Sequence, residues 1–155
     1  YEICACLVGS EMCIRDRLVA LAGQIFETEQ EIPRALTPLP PENRPQWWCV
    51  EEDGALLGGV ALYWEDDAWH MGRFVISPEL RGRHVGTVLL ETALTDIFAQ
   101  DIREVTMEAR DTTVHILKKF GAETTGAPFS FYRGTVTPMR LTREAFWNSH
   151  TGGQI

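Results

Sequence analysis

Between the apolar run Met71 to Ile76 and a segment with helical apolar spacing lies Arg81-Gly82-Arg83-His84-Val85-Gly86-Thr87. This stretch constrains the fold more than any other, because it puts a strand, a glycine-bearing turn and a helix in immediate succession. The helix carries Val85, Leu89 and Ala93 on one stripe, with Leu90, Leu94, Ile97 and Phe98 beside it. Glu91, Thr95 and Asp96 lie on the wet side. The first N–H groups of a helix have no intrahelical acceptor, and the helix dipole adds roughly half a positive charge at that end. Glycines and arginines at such a point make an anion site, and a pyrophosphate is its usual guest.

The remaining pattern alternates α and β. Leu18 to Glu29 has helical spacing (Leu18, Leu21, Ala22, Ile25, Phe26). Pro33, Pro38, Pro40, Pro41 and Pro45 then forbid regular structure and predict a long loop. Trp47 to Val50 reads as a strand, Asp53-Gly54 as a hairpin turn, and Ala55 to Tyr63 as the returning strand. Glu65-Asp66-Asp67 turns the chain into a third strand, Trp69 to Ile76. After the glycine turn and its helix come a strand over Glu104 to Ala109 and a short helix over Thr113 to Phe120, stopped by Gly121. Phe129 to Phe131 and Thr135 to Leu141 form a closing strand pair. Thr142 to Ile155 carries weak order signals and reads as a C-terminal tail.

Composition excludes several classes. The 155 residues suit one domain with a real core. A net charge of −8 argues against a general nucleic-acid surface, although local N–H groups still serve an anionic ligand. No apolar run approaches the roughly 20 residues that span a bilayer. Cys6 to Arg17 resembles a translated sequencing adapter, so residues 1–17 read as a non-native leader, with a strand-and-turn opening as the alternative. Three of the four cysteines lie in that segment, so Cys49 stands apart from any disulfide or metal framework and reads as a small buried hydrophobe. Of Trp47 and Trp48, one is expected in the core and one on the surface.

Ser77-Pro78-Glu79-Leu80-Arg81-Gly82-Arg83-His84-Val85-Gly86-Thr87-Val88-Leu89-Leu90 resembles motif A of the GNAT N-acetyltransferase superfamily, whose pattern is Q/R-x-x-G-x-G/A between a strand and a helix. Ile116-Leu117-Lys118-Lys119-Phe120-Gly121-Ala122 resembles that family's F-Y-E-K-x-G-F segment. Phe26-Glu27-Thr28-Glu29-Gln30-Glu31-Ile32-Pro33, Gly126-Ala127-Pro128-Phe129 and Pro138-Met139-Arg140-Leu141 are similar to segments of its ElaA-like branch. The resemblance covers about Leu18 to Leu141. It implies an α/β fold with a mixed, mostly antiparallel splayed sheet flanked by helices, and an acetyltransferase domain over residues 18–141. It also implies acetyl-CoA as co-substrate and a small-molecule or peptide amine as partner. No nucleic acid, membrane or metal is expected, a homodimer stays open as the assembly, and the compartment is the cytoplasm. Two departures stand out. His84 occupies the place of the first glycine, and Leu117 that of the tyrosine which protonates the leaving thiolate; leucine cannot donate a proton.

The chemistry names further candidates. A thioester carbonyl gains charge under attack, and backbone N–H groups at the end of the third strand, Phe74, Val75 and Ile76, are placed to hold it. Arg81, Gly82, Arg83, His84, Val85, Gly86 and Thr87 are the expected phosphate contacts. An alkyl amine, of pKa about 10, arrives protonated and needs a base or a proton path. Glu108, His70 and His115 are base candidates, and Tyr132 is a donor candidate for the thiolate. Each has a plain alternative: Glu108 pairing with Arg103 or Arg110, His70 and His115 as solvated histidines, and Tyr132 as a rim residue. Two other readings stay open for the whole chain. One is a catalytically weak acyl-CoA binder serving as sensor or scaffold. The other is a nucleotide binder, which fits poorly because G-x-G-x-x-G and a parallel βαβ unit are lacking.

Overall fold

The computed structural model describes residues 2–6, 12–30, 32 and 38–151. Strand β1 (Glu2–Cys6) and helix α1 (Met12–Gln30) come first. An antiparallel run follows: β2 (Gln46–Glu52), β3 (Ala55–Glu65) and β4 (Ala68–Ile76). Helix α2 (Val85–Ala99), strand β5 (Glu104–Ala109) and helix α3 (Asp111–Lys119) form the middle of the chain. The short strands β6 (Glu123–Thr124) and β7 (Phe129–Ser130), then β8 (Thr135–Thr142) and helix α4 (Arg143–Thr151), complete it. The sheet order is β1-β2-β3-β4-β5-β8-β6, with β7 on β8. All pairings are antiparallel except β4 with β5. This is the expected α/β splayed sheet.

Local sequence accounts for most of these elements. Asp53 and Gly54 both take positive φ, as do Asp66 and Asp67, so each hairpin turns with the twist its strands require. Helix α3 ends in a Schellman motif: Ala122 N–H reaches Leu117 O at 3.0 Å and Gly121 N–H reaches Lys118 O at 3.1 Å. Gly121 is at φ +102, and a Cβ there would lie 2.8 Å from Ala145 O of α4. Glycine therefore serves both the cap and the close approach of the next helix.

Both faces of the central sheet are covered. Trp48, Val50, Val60, Leu62 and Met71 pack with Leu89, Leu90, Leu94 and Ile97 of α2. On the other face Trp47, Cys49 and Ala61 meet Val19 of α1, and Val75 meets Ala22 and Ile25. Trp47 and Trp48 are thus both buried, at 1% and 2% exposure. The expectation of one surface tryptophan fails because adjacent strand residues face opposite sides, and here each side has its own helix. Cys49 is buried, as its composition suggested.

Three boundaries differ from the sequence reading. Helix α1 begins at Met12, before Leu18, and Glu2–Cys6 pairs along the β2 edge from Glu51 to Trp47. The proline-rich loop lies partly outside the described residues, and Pro41–Asn43 within it forms a 3-10 turn. Beyond Leu141 the chain forms α4, whose Phe146 is fully buried against Phe98 and Phe120, with ring centroids at 5.5 and 6.0 Å.

Candidate active site

The site begins where the sheet opens. Strands β4 and β5 share a single register pair, His70 with Thr106. Thr106 Oγ1 bonds His70 Nδ1 at 3.0 Å, His70 Nε2 lies 3.0 Å from Glu65 O, and the imidazole stacks on Tyr63 at 5.3 Å. His70 is therefore the stitch at the vertex of the opening, with both ring nitrogens engaged, and is not a group on the cleft wall. Past it, β4 leaves β5. A bulge helps: Gly72 pairs with Ala61 and Val75 with Gly59, so Arg73 and Phe74 together oppose Val60. Arg73 takes φ 53 to make this bulge.

The resulting cleft has a volume of about 310 Å³. Phe26, Gln30 and Ile32 wall it from the α1 side, Leu90 and Leu117 from the α2 and α3 side. Tyr63, Arg73, Phe74, Glu108, Arg110 and Phe131 complete it. Its charged lining comprises Arg73 on β4, Glu108 near the end of β5 and Arg110 just beyond that strand. Arg73 lies over the Tyr63 ring at 4.8 Å from the centroid. Burial pushes the Tyr63 phenol above its ordinary value; the Arg73 charge opposes that rise, and the Glu65 and Glu108 carboxylates add to it.

Arg110 holds one wall together. Its Nε donates to Gln30 Oε1 at 2.9 Å, Nη1 to Arg133 O at 2.9 Å and Nη2 to Phe131 O at 3.1 Å. Arg133 N–H in turn donates to Gln30 O at 3.1 Å. The end of α1, the start of α3 and the β7–β8 turn thus meet on one guanidinium, whose burial lowers its pKa.

The candidate anion turn lies beside the cleft, where Gly86 packs on the cleft residue Phe74. A 3-10 turn (Pro78–Leu80) follows β4, Gly82 takes φ 81 and His84 φ 59, and α2 then starts. Left-handed residues beside a helix start turn backbone N–H groups toward one concavity. A Cβ on Gly82 would meet nothing within 4 Å, so the space before the turn is open. Val88 N–H is the amide that bonds back to His84 O, which leaves the earlier N–H groups of α2 facing outward without an intrahelical acceptor. His84 accepts the left-handed conformation that the family motif gives to glycine, and this is why a side chain is tolerated there. Gly86 serves helix-to-strand packing: a Cβ would lie 3.0 Å from Phe74 Cζ and 3.6 Å from Ile76 Cγ1. Arg81 pairs with Glu29 at 2.9 Å and Arg83 with Glu52 at 3.6 Å, all four side chains a third to a half exposed. Such exposed pairs contribute about 0–1 kcal/mol. Pairs this weak leave both arginines able to exchange a carboxylate for another anion. The turn therefore fits a coenzyme A pyrophosphate, and the cleft has room for its thioester arm.

Residues 16–122 match the acetyltransferase (GNAT) family. The chain belongs to that family. None of the curated proteins compared with it matches. Among solved structures, Escherichia coli ElaA superposes with a TM-score of 0.74 at 20% identity, covering 90% of this chain and 97% of that one. An acyl-CoA N-acyltransferase from Pseudomonas aeruginosa gives 0.72 at 20% identity over 92% and 100%. A spermidine N-acetyltransferase from Vibrio cholerae, in complex with CoA and spermine, gives 0.69 at 16% over 94% and 98%. At these identities the likeness is one of fold. No described helix is long and apolar enough to cross a membrane.

Of the residues named from sequence, Phe74 and Glu108 line the cleft; Val75, Ile76 and Arg81 to Thr87 are not among its lining residues, and the last group forms the turn and first residues of α2. Glu108 does not take Arg110 as its partner, since that guanidinium is bound to Gln30 and to carbonyls. His115 is exposed on α3 and Tyr132 is 52% exposed beyond Phe131; neither lines the cleft. Leu117 does, fully buried. Sequence reasoning missed Tyr63, Arg73 and Arg110. The period of two places Tyr63 on the face of Ala61, but a bulge that turns Arg73 into a cleft has no local signature.

Proposed function

We propose that the protein is an N-acetyltransferase that moves an acetyl group from acetyl-CoA to a primary amine of a small molecule or peptide, by direct attack in one ternary complex. What carries this reading is the cleft itself. It opens past the His70–Thr106 stitch, is lined by Glu108, Tyr63 and Arg73, and reaches the start of α2 through Phe74, which packs on Gly86. The backbone N–H groups of Arg83 to Thr87 hold the pyrophosphate, and Arg81 and Arg83 add charge at the rim. The bound thioester supplies an acyl carbon open to nucleophilic attack and a thiolate leaving group. Within Phe74, Val75 and Ile76, a backbone N–H on the edge of β4 that faces the opening stabilises charge on the carbonyl oxygen. The amine nitrogen bonds to that carbon and the C–S bond breaks. An ammonium entering the cleft must lose one proton before attack and the new amide a second. One returns to the thiolate and one leaves to solvent. Glu108, facing the cleft from β5, takes the first. Compartment and assembly follow the same reading: a cytoplasmic enzyme, with a homodimer open as its assembly.

The test is thiol release with acetyl-CoA across a panel of amines, with Glu108→Gln beside the parent chain. The variant should lose up to about 100-fold near neutral pH, the low end of a general-base contribution, with the deficit shrinking as free amine becomes abundant. A deficit absent at every pH removes Glu108 from the mechanism. Leu117 favours one alternative. It puts an apolar wall where a proton donor is needed, as an acyl-CoA sensor would allow. Tight coenzyme A binding without thiol release for any amine selects that alternative.

A further inference from the structure

We infer that Tyr63 supplies the proton that Leu117 cannot, donating its phenolic O–H to the thiolate as coenzyme A leaves. This rests on the acyl-transfer reading above and adds a residue to its mechanism. The first observation is the chemistry of the lining. The polar side chains of the cleft are Gln30, Tyr63, Arg73, Glu108, Arg110 and Thr113. A guanidinium does not release its protons in a protein, and an amide or an aliphatic hydroxyl is a far weaker acid than a phenol. Glu108 is the base of this reading. Among these lining residues Tyr63 is left as the one that brings an acidic proton of its own at neutral pH. The second observation is position. Tyr63 pairs with His70 in the β3–β4 register and stacks on that imidazole, with centroids 5.3 Å apart. The ring thus starts at the vertex of the opening. Its hydroxyl ends beside Gly72, two residues further along β4, only 3.3 Å from where a Cβ on that glycine would stand. A side chain at that position would press on the hydroxyl. Glycine leaves it in place, next to the bulge of Arg73 and Phe74 from which β4 runs on to its edge amides.

The third observation is the direction of the phenol's own hydrogen bond. The Arg73 guanidinium lies over the ring at 4.8 Å and bonds to the phenol. Arginine only donates, so the phenol oxygen accepts in that bond and keeps its proton for another partner. Burial holds the phenol protonated at neutral pH. When the proton leaves, the charge on the oxygen meets the guanidinium. The transfer then runs as follows. The amine nitrogen bonds to the acyl carbon, the C–S bond breaks, and its electron pair stays on sulfur. The phenol proton moves to that sulfur and the free thiol forms. The second nitrogen proton passes to the phenolate, which restores Tyr63. The first, taken from the ammonium by Glu108, leaves to solvent.

The experiment sets Tyr63→Phe beside the parent chain, with acetyl-CoA as donor and the amine panel as acceptors, ethanolamine, benzylamine, spermidine and lysine among them. Thiol release gives kcat and KM, and calorimetry gives the affinity for coenzyme A. In Tyr63→Phe, kcat should fall about 100-fold, the low end of a general-acid contribution. KM for acetyl-CoA and the affinity for coenzyme A should stay within about twofold. In the parent chain kcat should decline as pH rises through the ionisation of this phenol, above its ordinary value of 10.0. 3-Fluorotyrosine introduced at position 63 makes the phenol more acidic and should move that decline to lower pH, a shift that a merely structural ring would not produce. Turnover of Tyr63→Phe within about threefold of the parent overturns the role and leaves the proton collected by Glu108 as the source. An alkaline decline that fluorine does not move overturns it as well. A loss confined to KM or to coenzyme A affinity, with kcat intact, makes Tyr63 a positioning residue and rejects it as the donor. Absence of thiol release from the parent chain with every amine rejects acyl transfer itself, and the donor role falls with it.

Discussion

Single residues in this cleft work against their intrinsic preferences, and each conflict has a measurable consequence. The Tyr63 phenol is pushed above its ordinary value of 10.0, chiefly by burial. With the folded pKa above the unfolded one, the native state holds the proton more tightly. That contribution to stability is whole below pH 10.0 and is lost as pH rises through the folded value. Phenolate absorbance should therefore show a late-ionising step, and Tyr63→Phe should delete it. A titration curve whose late portion Tyr63→Phe leaves unchanged would contradict the burial argument. His84 and Gly86 make a second contrast. Gly86→Val drives a branched side chain against Phe74, whose ring already sits 3.0 Å from the Cβ position. It should displace the start of α2 and weaken coenzyme A binding by about tenfold or more, roughly 1.4 kcal/mol. His84→Gly relieves a left-handed side chain and should change affinity by less than about threefold. If calorimetry instead finds binding abolished by His84→Gly, the imidazole is itself a ligand.

Among the elements, α4 has a structural role out of proportion to its length. Its sequence offers little helical periodicity, yet Phe146 is fully buried between Phe98, Phe120 and Trp147. Arg143 N–H donates to Arg103 O at 2.8 Å and fixes the entry of the helix beside β5. The helix also closes over Gly121, so it rests directly on the cap of α3. Phe146→Ala removes a buried aromatic whose neighbours belong to three helices. It should cost about 3–5 kcal/mol in urea unfolding. A loss below about 1 kcal/mol would mean that α4 leaves the core without consequence. Strand β4 makes the complementary point. Its first half pairs with β3 and meets β5 at His70, and its second half carries the bulge and diverges from β5, so one element supplies both the vertex and the opening.

For the molecule as a whole, the order β1-β2-β3-β4-β5-β8-β6 places the cleft between the fourth and fifth strands, with β1 at the far edge. Stability and binding should therefore separate. Deleting residues 1–11 removes β1 and leaves α1 intact from Met12. It strips five cross-strand pairs from the β2 edge, so the melting temperature should fall. Affinity for coenzyme A should stay within about twofold, because β1 lies at the sheet edge, three strands from β4. A large loss of affinity in a chain that still folds would tie the N-terminal strand to the site.

The local grammar of this chain decided a great deal. The strand–turn–helix at Arg81 to Thr87, the Asp53-Gly54 hairpin and the Gly121 stop are all settled by neighbours in sequence, because turn geometry and helix ends depend on a few adjacent residues. Motif A and the Lys119-Phe120-Gly121 segment together indicated the fold for the same reason. What lay beyond that grammar required partners far along the chain. His70 became the vertex stitch through Thr106, 36 residues away, and Arg110 became a wall through Gln30, 80 residues away. Trp48 is buried because α2 covers a face that strand periodicity alone cannot assign. Arg73 enters the cleft because β4 carries one residue more than β3 between two of their pairs, and a count across two strands is a property of the register, not of either strand.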